Sequence, residues 1–296
     1  MNMIELYFEY LRNYAYPRLK ATTIRGYVVN AEKYILPICG NDKLYTIDLE
    51  VIDEVVSYCR TCSLSNTSVI YVLNTFSSML SYAVKRKYVK YNIINDYDFP
   101  RKLRYDYIIL TMDDMNSLID KAISLLSVIS VPILLAAHYG LRRGEIAALK
   151  VSDIDFDNSV LHISKSKNYV FGEQVIDSPK NNHYRDILLS DFDLFIIKSY
   201  DSYRLPCKGD FLVRYFDGRP LSPNMYGKLL KSVLKSSNLP LIRFHDLRHS
   251  YATYMVNSGI SPKIVSNVLG HSSVKFTLDT YVHSNLSEQK ELLKLL

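Results

Sequence analysis

Apolar residues recur with helical spacing through the first third of the chain. Leu6, Tyr7, Tyr10 and Leu11 share one helical face. Thr22 or Thr23 stands where a second helix would be capped. That helix runs through Tyr27, Ala31 and Tyr34 to about Cys39, where Gly40 and Asn41 stop it. Thr46 and Asp48 precede a third helix, residues 49–62. Ser65 or Asn66 opens a longer one through Tyr71, Phe76, Met79 and Ala83, ending in the basic stretch Lys85, Arg86, Lys87 and Lys90. Residues 95–106 are polar, contain a proline and carry Arg101, Lys102 and Arg104, so they read as a linker.

Beyond the linker, Thr111 stands three residues before Asp114, the spacing of a capping box for a helix through Leu118 and Ala122. Residues 129–139 are mostly apolar and predict a helix ending at Gly140, with another over 143–150. The period then changes. Residues 160–164, 174–177 and 186–189 are short, rich in Val, Ile and Leu, and separated by turn residues, which predicts one small antiparallel sheet. From Asn224 the helical period returns. The expected fold is mainly α with a small antiparallel β-sheet, an α+β architecture. A helical domain over 1–105 ends in the basic linker, and a larger mixed domain occupies 106–296.

Composition narrows the function classes. Thirty-six Lys and Arg against 30 Asp and Glu leave a net charge of +6, compatible with a nucleic-acid partner but not specific for one. The N-terminus is amphipathic and carries Glu5 and Glu9, unlike a secretory leader. The longest apolar run, residues 128–137, is interrupted by Ser130 and Pro132 and is too short to span a bilayer. The expectation is a soluble, cytoplasmic protein without a membrane partner. Cys59 and Cys62 form a C-x-x-C, but no second ligand pair lies nearby for zinc. Glycine-rich nucleotide loops and paired-carboxylate metal motifs are absent, so no cofactor and no metal are expected.

The candidate chemistry lies in four strings, in this order: Tyr139-Gly140-Leu141-Arg142-Arg143-Gly144-Glu145-Ile146, Phe244-His245-Asp246-Leu247-Arg248-His249, Leu269-Gly270-His271-Ser272-Ser273 and Thr277-Leu278-Asp279-Thr280-Tyr281-Val282-His283. Phosphodiester transfer needs charge stabilisation on the non-bridging oxygens, a nucleophile, and a proton donor for the leaving oxygen. Arginine suits the first task, because its planar fork makes paired hydrogen bonds to phosphate and stays charged. A free phenol, with a pKa near 10, becomes a useful nucleophile only beside positive charge or a base.

Ordered and spaced in this way over about the last 160 residues, the strings closely resemble the tyrosine recombinase, or phage integrase, family. Its members share a G-L-R-x-x-E box, an H-x-x-R box, an L-G-H box and a nucleophilic tyrosine shortly after it. The helical N-terminal third is similar, more loosely, to the family's core-binding domain, and the mixed domain to its catalytic domain. The resemblance implies catalytic roles for Arg142, Lys180, His245, Arg248, His271 and Tyr281. Arg142 and Arg248 hold the phosphate. Tyr281, one of 25 tyrosines, is singled out by its position after the L-G-H box. His245 acts in proton transfer with the tyrosine, and His271 hydrogen-bonds the phosphate. His249 and His283 are supporting residues.

The family's general acid is a lysine in a β-hairpin. The string Ser178-Pro179-Lys180-Asn181-Asn182-His183-Tyr184-Arg185 resembles the P-K-T-x-x-x-R stretch of conjugative-transposon integrases, with Asn181 in place of the usual threonine. Lys180 is preferred over its competitors Lys165 and Lys167, which fit an earlier turn. Glu145 and Asp246 are expected to buttress the site by pairing with neighbouring basic groups.

The implied reaction is site-specific DNA recombination through a 3′-phosphotyrosine and a Holliday junction, without metal or ATP. The implied partners are double-stranded DNA sites, a homotetramer on paired sites, and accessory directionality or bending proteins. Two alternatives stay open: a type IB topoisomerase-like strand transferase and a degenerate DNA-binding homologue. The resemblance implies that the chain begins at the core-binding domain, either as a simple recombinase or as a chain from which the arm-binding domain many integrases carry was removed. The apolar tail, with Leu286, Leu292, Leu293, Leu295 and Leu296, is expected to dock on a neighbouring protomer or on its own domain.

Overall fold

The computed structural model describes residues 1–102, 107–170, 173–177, 184–206 and 209–270. The chain divides into two compact units, Met1–Tyr105 with Tyr169–Val175, and Asp106–Asn168 with Ile176–Leu296. The fold is mostly helical with small sheets.

In the first unit, α1 (Met3–Tyr10) opens with a reciprocal cap. Asn2 Oδ1 accepts the Glu5 N–H at 2.9 Å, and Glu5 Oε2 accepts the Asn2 N–H at 2.8 Å. The helix runs on through a π-helical stretch, Leu11–Ala15, into Tyr16–Arg18. Helix α2 (Ala21–Asn30) continues likewise through Ala31–Ile35 and Leu36–Cys39. Its cap is Lys20 rather than Thr22 or Thr23. Lys20 holds extended backbone, and its carbonyl already accepts the Thr23 and Ile24 N–H groups, so both threonines lie inside the first turn. Helix α3 (Leu49–Thr61) is capped by Asp48 and α4 (Asn66–Lys85) by Ser65. Their apolar faces meet in a core that includes Leu6, Tyr10, Ile35, Ile52, Leu73 and Phe76.

In the second unit, Thr111 and Asp114 form the capping box of α5 (Met112–Ser124). Helix α6 (Ser130–Tyr139) is buried on nearly every side, as a helix apolar all round must be, and packs against α5. Gly140 ends it in the left-handed region at φ +64°, and α7 (Arg143–Ala148) follows. Strands β1 (Ile154–Asp155), β2 (Val160–Ile163) and β5 (Arg185–Leu188) form an antiparallel sheet in the order β1-β2-β5, with Leu161 opposite Ile187 and Ile163 opposite Arg185. Helices α8 (Asp191–Ser202), α9 (Tyr226–Ser236), α10 (Phe244–Asn257) and α11 (Pro262–Leu269) complete the unit, and α10 packs along α6.

Besides the cap of α2, three details differ from the sequence reading. Residues 174–177 belong to β4 (Glu173–Asp177), which pairs with β3 (Ser166–Val170) in a separate two-stranded sheet, because β5 takes the edge of β2 directly. Lys167 therefore lies in a strand rather than a turn. It is buried, with Nζ 3.8 Å from the centre of the Phe211 ring. Helix α8 was not anticipated. Ile197 and Tyr200 face the core while Phe192 and Phe195 face outward, so aromatic residues on both sides blur its period.

Candidate active site

The site forms in the second unit, where the turn at Gly140 and the end of α11 lie against α10. At Gly140 a Cβ would stand 2.5 Å from Leu269 Cδ2 and 2.7 Å from Tyr251 Cδ1, so this turn needs glycine for both its φ and its closeness to α10 and α11. The Gly140 carbonyl accepts Arg248 Nη1 at 2.6 Å, and the Leu269 carbonyl accepts Arg248 Nη2 at 2.7 Å. Arg248 is 1% exposed. Helix α11 ends at Gly270, again left-handed, and the Gly270 carbonyl accepts Arg142 Nη2 at 2.7 Å. The last carbonyls of a helix lack partners within it and carry partial negative charge. Here two of them are met by guanidiniums from distant parts of the chain.

Arg142 occupies the cap position of α7, and Glu145 lies one turn on. Glu145 Oε2 accepts the Arg142 N–H at 2.9 Å, and Oε1 accepts Arg142 Nη1 at 2.8 Å. A third guanidinium enters from the first residue of β5: Arg185 donates Nη1 to Oε1 at 3.1 Å and Nη2 to Oε2 at 2.8 Å. Burial alone would push the Glu145 carboxyl up. The hydrogen bond and charge of Arg185, then the charge of Arg142, reverse that and hold it at about 2. Two guanidiniums, Arg142 and Arg185, thus share one carboxylate, a net of 2 − 1 = +1, while Arg248 binds the Gly140 and Leu269 carbonyls.

His245 and Arg248 stand three apart on α10 and so share a face. Burial, then the neighbouring His249, Arg248 and Arg142, lower the His245 pKa to about 4, so its imidazole is neutral at pH 7. His249 stands edge-on to it, ring centres 4.9 Å apart, and packs on Tyr107 at 4.0 Å. Burial lowers His249 to about 4 as well. At the start of α10, Asp246 accepts the Arg243 N–H at 2.9 Å and Arg243 Nη2 at 2.8 Å.

The structure therefore brings Arg142, His245 and Arg248 together. Lys180, His271 and Tyr281 lie outside the described residues, as does the C-terminal tail. Lys165 is exposed just after β2. Among the described residues no group of His, Cys, Asp and Glu is placed to hold a metal. What the motif reading missed is Arg185. Its signal was the arginine closing the Pro179–Arg185 string, at the head of a strand whose opposite residue, Ile163, is buried. Chemically, the arrangement offers a partly buried cationic surface and a neutral imidazole, suited to a tetrahedral anion such as a phosphodiester.

Comparison with known proteins places this geometry. Residues 108–288 match the phage integrase family. The ICEBs1 integrase of Bacillus subtilis (strain 168) is 28% identical over 162 residues, covering 52% of this chain and 44% of that protein. A tyrosine recombinase of Thermosipho africanus (strain TCF52B) is 23% identical, with 99% of each chain covered. The chain thus spans less than half the length of the B. subtilis relative and nearly all of the other. Among solved structures, the Tn1549 transposon integrase in complex with transposon right end DNA aligns with a TM-score of 0.85 at 20% identity, over 99% of both chains. A lambda integrase tetramer bound to a Holliday junction aligns with a TM-score of 0.71 at 20% identity, over 92% of this chain and 78% of that one.

Proposed function

The chain belongs to the phage integrase family, and from that premise we propose that it is a tyrosine site-specific recombinase that cuts and rejoins DNA. The observation that carries the proposal is the convergence of Arg142 and Arg248 on the adjacent carbonyls of Gly270 and Leu269, beside a neutral His245. Two fixed guanidiniums supply the charge that a pentacovalent phosphorane needs on its non-bridging oxygens. The Tyr281 phenolic oxygen attacks the scissile phosphorus and passes its proton to the neutral His245. The P–O5′ bond breaks, and the departing oxygen takes a proton from Lys180, with His271 on the phosphate. The products are a 3′-phosphotyrosine and a free 5′ hydroxyl. Attack of that hydroxyl from a partner strand reverses the steps, so the energy of the phosphodiester is conserved and no ATP is consumed. Strand exchange of this kind passes through a Holliday junction and calls for a homotetramer on two double-stranded DNA sites, with accessory directionality or bending proteins as further partners. On this reading the first unit is the core-binding domain, the second the catalytic domain, and the protein acts in the cytoplasm. Among the described residues no helix is long and apolar enough to cross a membrane.

The test uses a nicked suicide duplex carrying a site that the protein selects from a random-sequence pool. Wild type forms a covalent protein–DNA adduct without metal or ATP, seen on a denaturing gel, and Tyr281→Phe does not. Strand transfer to a second duplex then separates a recombinase from a topoisomerase-like enzyme. Firm binding without an adduct overturns the enzymatic reading in favour of a DNA-binding homologue.

A further inference from the structure

Two guanidiniums share the Glu145 carboxylate, and they are differently placed. Arg142 spends two of its five N–H donors, on Glu145 Oε1 and the Gly270 carbonyl, and its side chain is 22% exposed. Three donors remain, with no partner among the described residues. Arg185 is 8% exposed and turns its fork wholly onto Glu145, one nitrogen to each oxygen. Its Nε is buried and meets no acceptor among the described residues.

Charge decides what this arrangement does. A buried carboxylate facing Arg142 alone would form a closed ion pair, and that pair would compete with any incoming phosphate for the same guanidinium. A second guanidinium placed across both carboxylate oxygens takes up most of that negative charge. The pair of arginines then keeps one positive charge beyond what Glu145 cancels, and it resides on the more exposed partner. We propose that Arg185 is a positioning residue for DNA cleavage: it occupies Glu145 so that the charge of Arg142 is available to the scissile phosphate. The proposal rests on the recombinase reading given above. It assigns Arg185 no contact with the DNA. The same bonds set the aim of Arg142, because Glu145 Oε1 fixes Nη1 and that oxygen is itself fixed by Arg185 Nη1.

The experiment measures single-turnover adduct formation on the nicked duplex for wild type, Arg185→Met, Arg185→Lys and Arg185→Met combined with Glu145→Gln. Thermal melting of each protein serves as the folding control. Arg185→Met is expected to slow adduct formation about 100-fold, the scale of losing alignment at a reacting phosphate, with little change in DNA affinity. Arg185→Lys, with one ammonium where a two-pronged fork is required, falls between. The decisive arm is the double variant. Neutralising Glu145 removes the competitor for Arg142, so the double variant is faster than Arg185→Met, by about 10-fold, whereas a purely structural role makes it slower still. A second substrate carries a methylphosphonate at the scissile position and so lacks the non-bridging negative charge. On it, the ratio of wild type to Arg185→Lys shrinks towards one, and this readout survives even if Arg185→Met does not fold. A double variant no faster than the single one, or a ratio unchanged on the methylphosphonate, overturns the role of Arg185 while leaving the recombinase reading intact. Wild type without an adduct overturns that reading, and the role with it.

Discussion

At the start of α7, Arg142 holds the cap position and Glu145 stands three residues on; at the start of α10, Arg243 and Asp246 hold the same two positions. In both, the acid accepts the backbone N–H of the cap residue and an N–H of its guanidinium. Both acids are buried, at 1% and 2% side-chain exposure. An acid there satisfies an orphan N–H and sits favourably at the positive end of the helix. The difference lies in what the fold adds. Asp246 pairs with an arginine that is 54% exposed, whereas Glu145 pairs with two, of which Arg185 is nearly buried and Arg142 is tied to the end of α11. One local device thus serves as a helix cap in one place and as the hub of a charge cluster in the other.

Removing each acid exposes that difference most sharply. Glu145→Ala leaves two guanidiniums facing each other in a buried site and is expected to cost about 3–5 kcal/mol of stability. Asp246→Ala leaves a cap N–H without its acceptor and an arginine that can turn to water, costing about 1–3 kcal/mol. Urea unfolding of both variants checks the order, and equal losses sink the contrast.

Acid provides the next test. The folded Glu145 carboxyl, at about 2, lies below its unfolded value of roughly 4.3. The stability it contributes is therefore complete above that unfolded value and is lost as pH falls towards 2. Glu145→Gln should flatten the stability profile across that window, and an unchanged slope there contradicts the shared-carboxylate geometry.

The imidazoles of α10 act in the same direction at higher pH. His245 and His249 both lie at about 4 when folded, below an unfolded value near 6.5. The buried, neutral imidazole of His249 contributes stability above that value, and it declines as pH drops towards 4, whereas His245 is exposed and its share is screened by water. NMR titration should show His245 neutral down to about pH 4, and a midpoint near 6.5 would rule out the cation-flanked setting. The smallest effect is expected at Arg243→Ala, about 0–1 kcal/mol, because that guanidinium is mostly in water.

Much of this was legible before any coordinates. Periodicity placed the core of α3, α4, α5 and α6, because each buries one face or all faces in a regular pattern. The boxes pointed to Arg142, His245 and Arg248, which the fold brings together. Helix α8 escaped because its outward phenylalanines mask its buried face. The sheet was misdrawn because strand segments announce themselves locally while pairing partners do not.

What the sequence by itself determined about this protein is the set of side chains suited to phosphate chemistry and the helices that carry them. Spacing within a helix is local, so one turn separates His245 from Arg248 and Arg142 from Glu145 whatever the rest of the chain does. Only the tertiary structure decided that β5 delivers Arg185 to both oxygens of Glu145, and that α11 ends its carbonyls on two arginines. A buried carboxylate and a helix end must find their partners through space, and along the chain those partners lie 21 to 128 residues away.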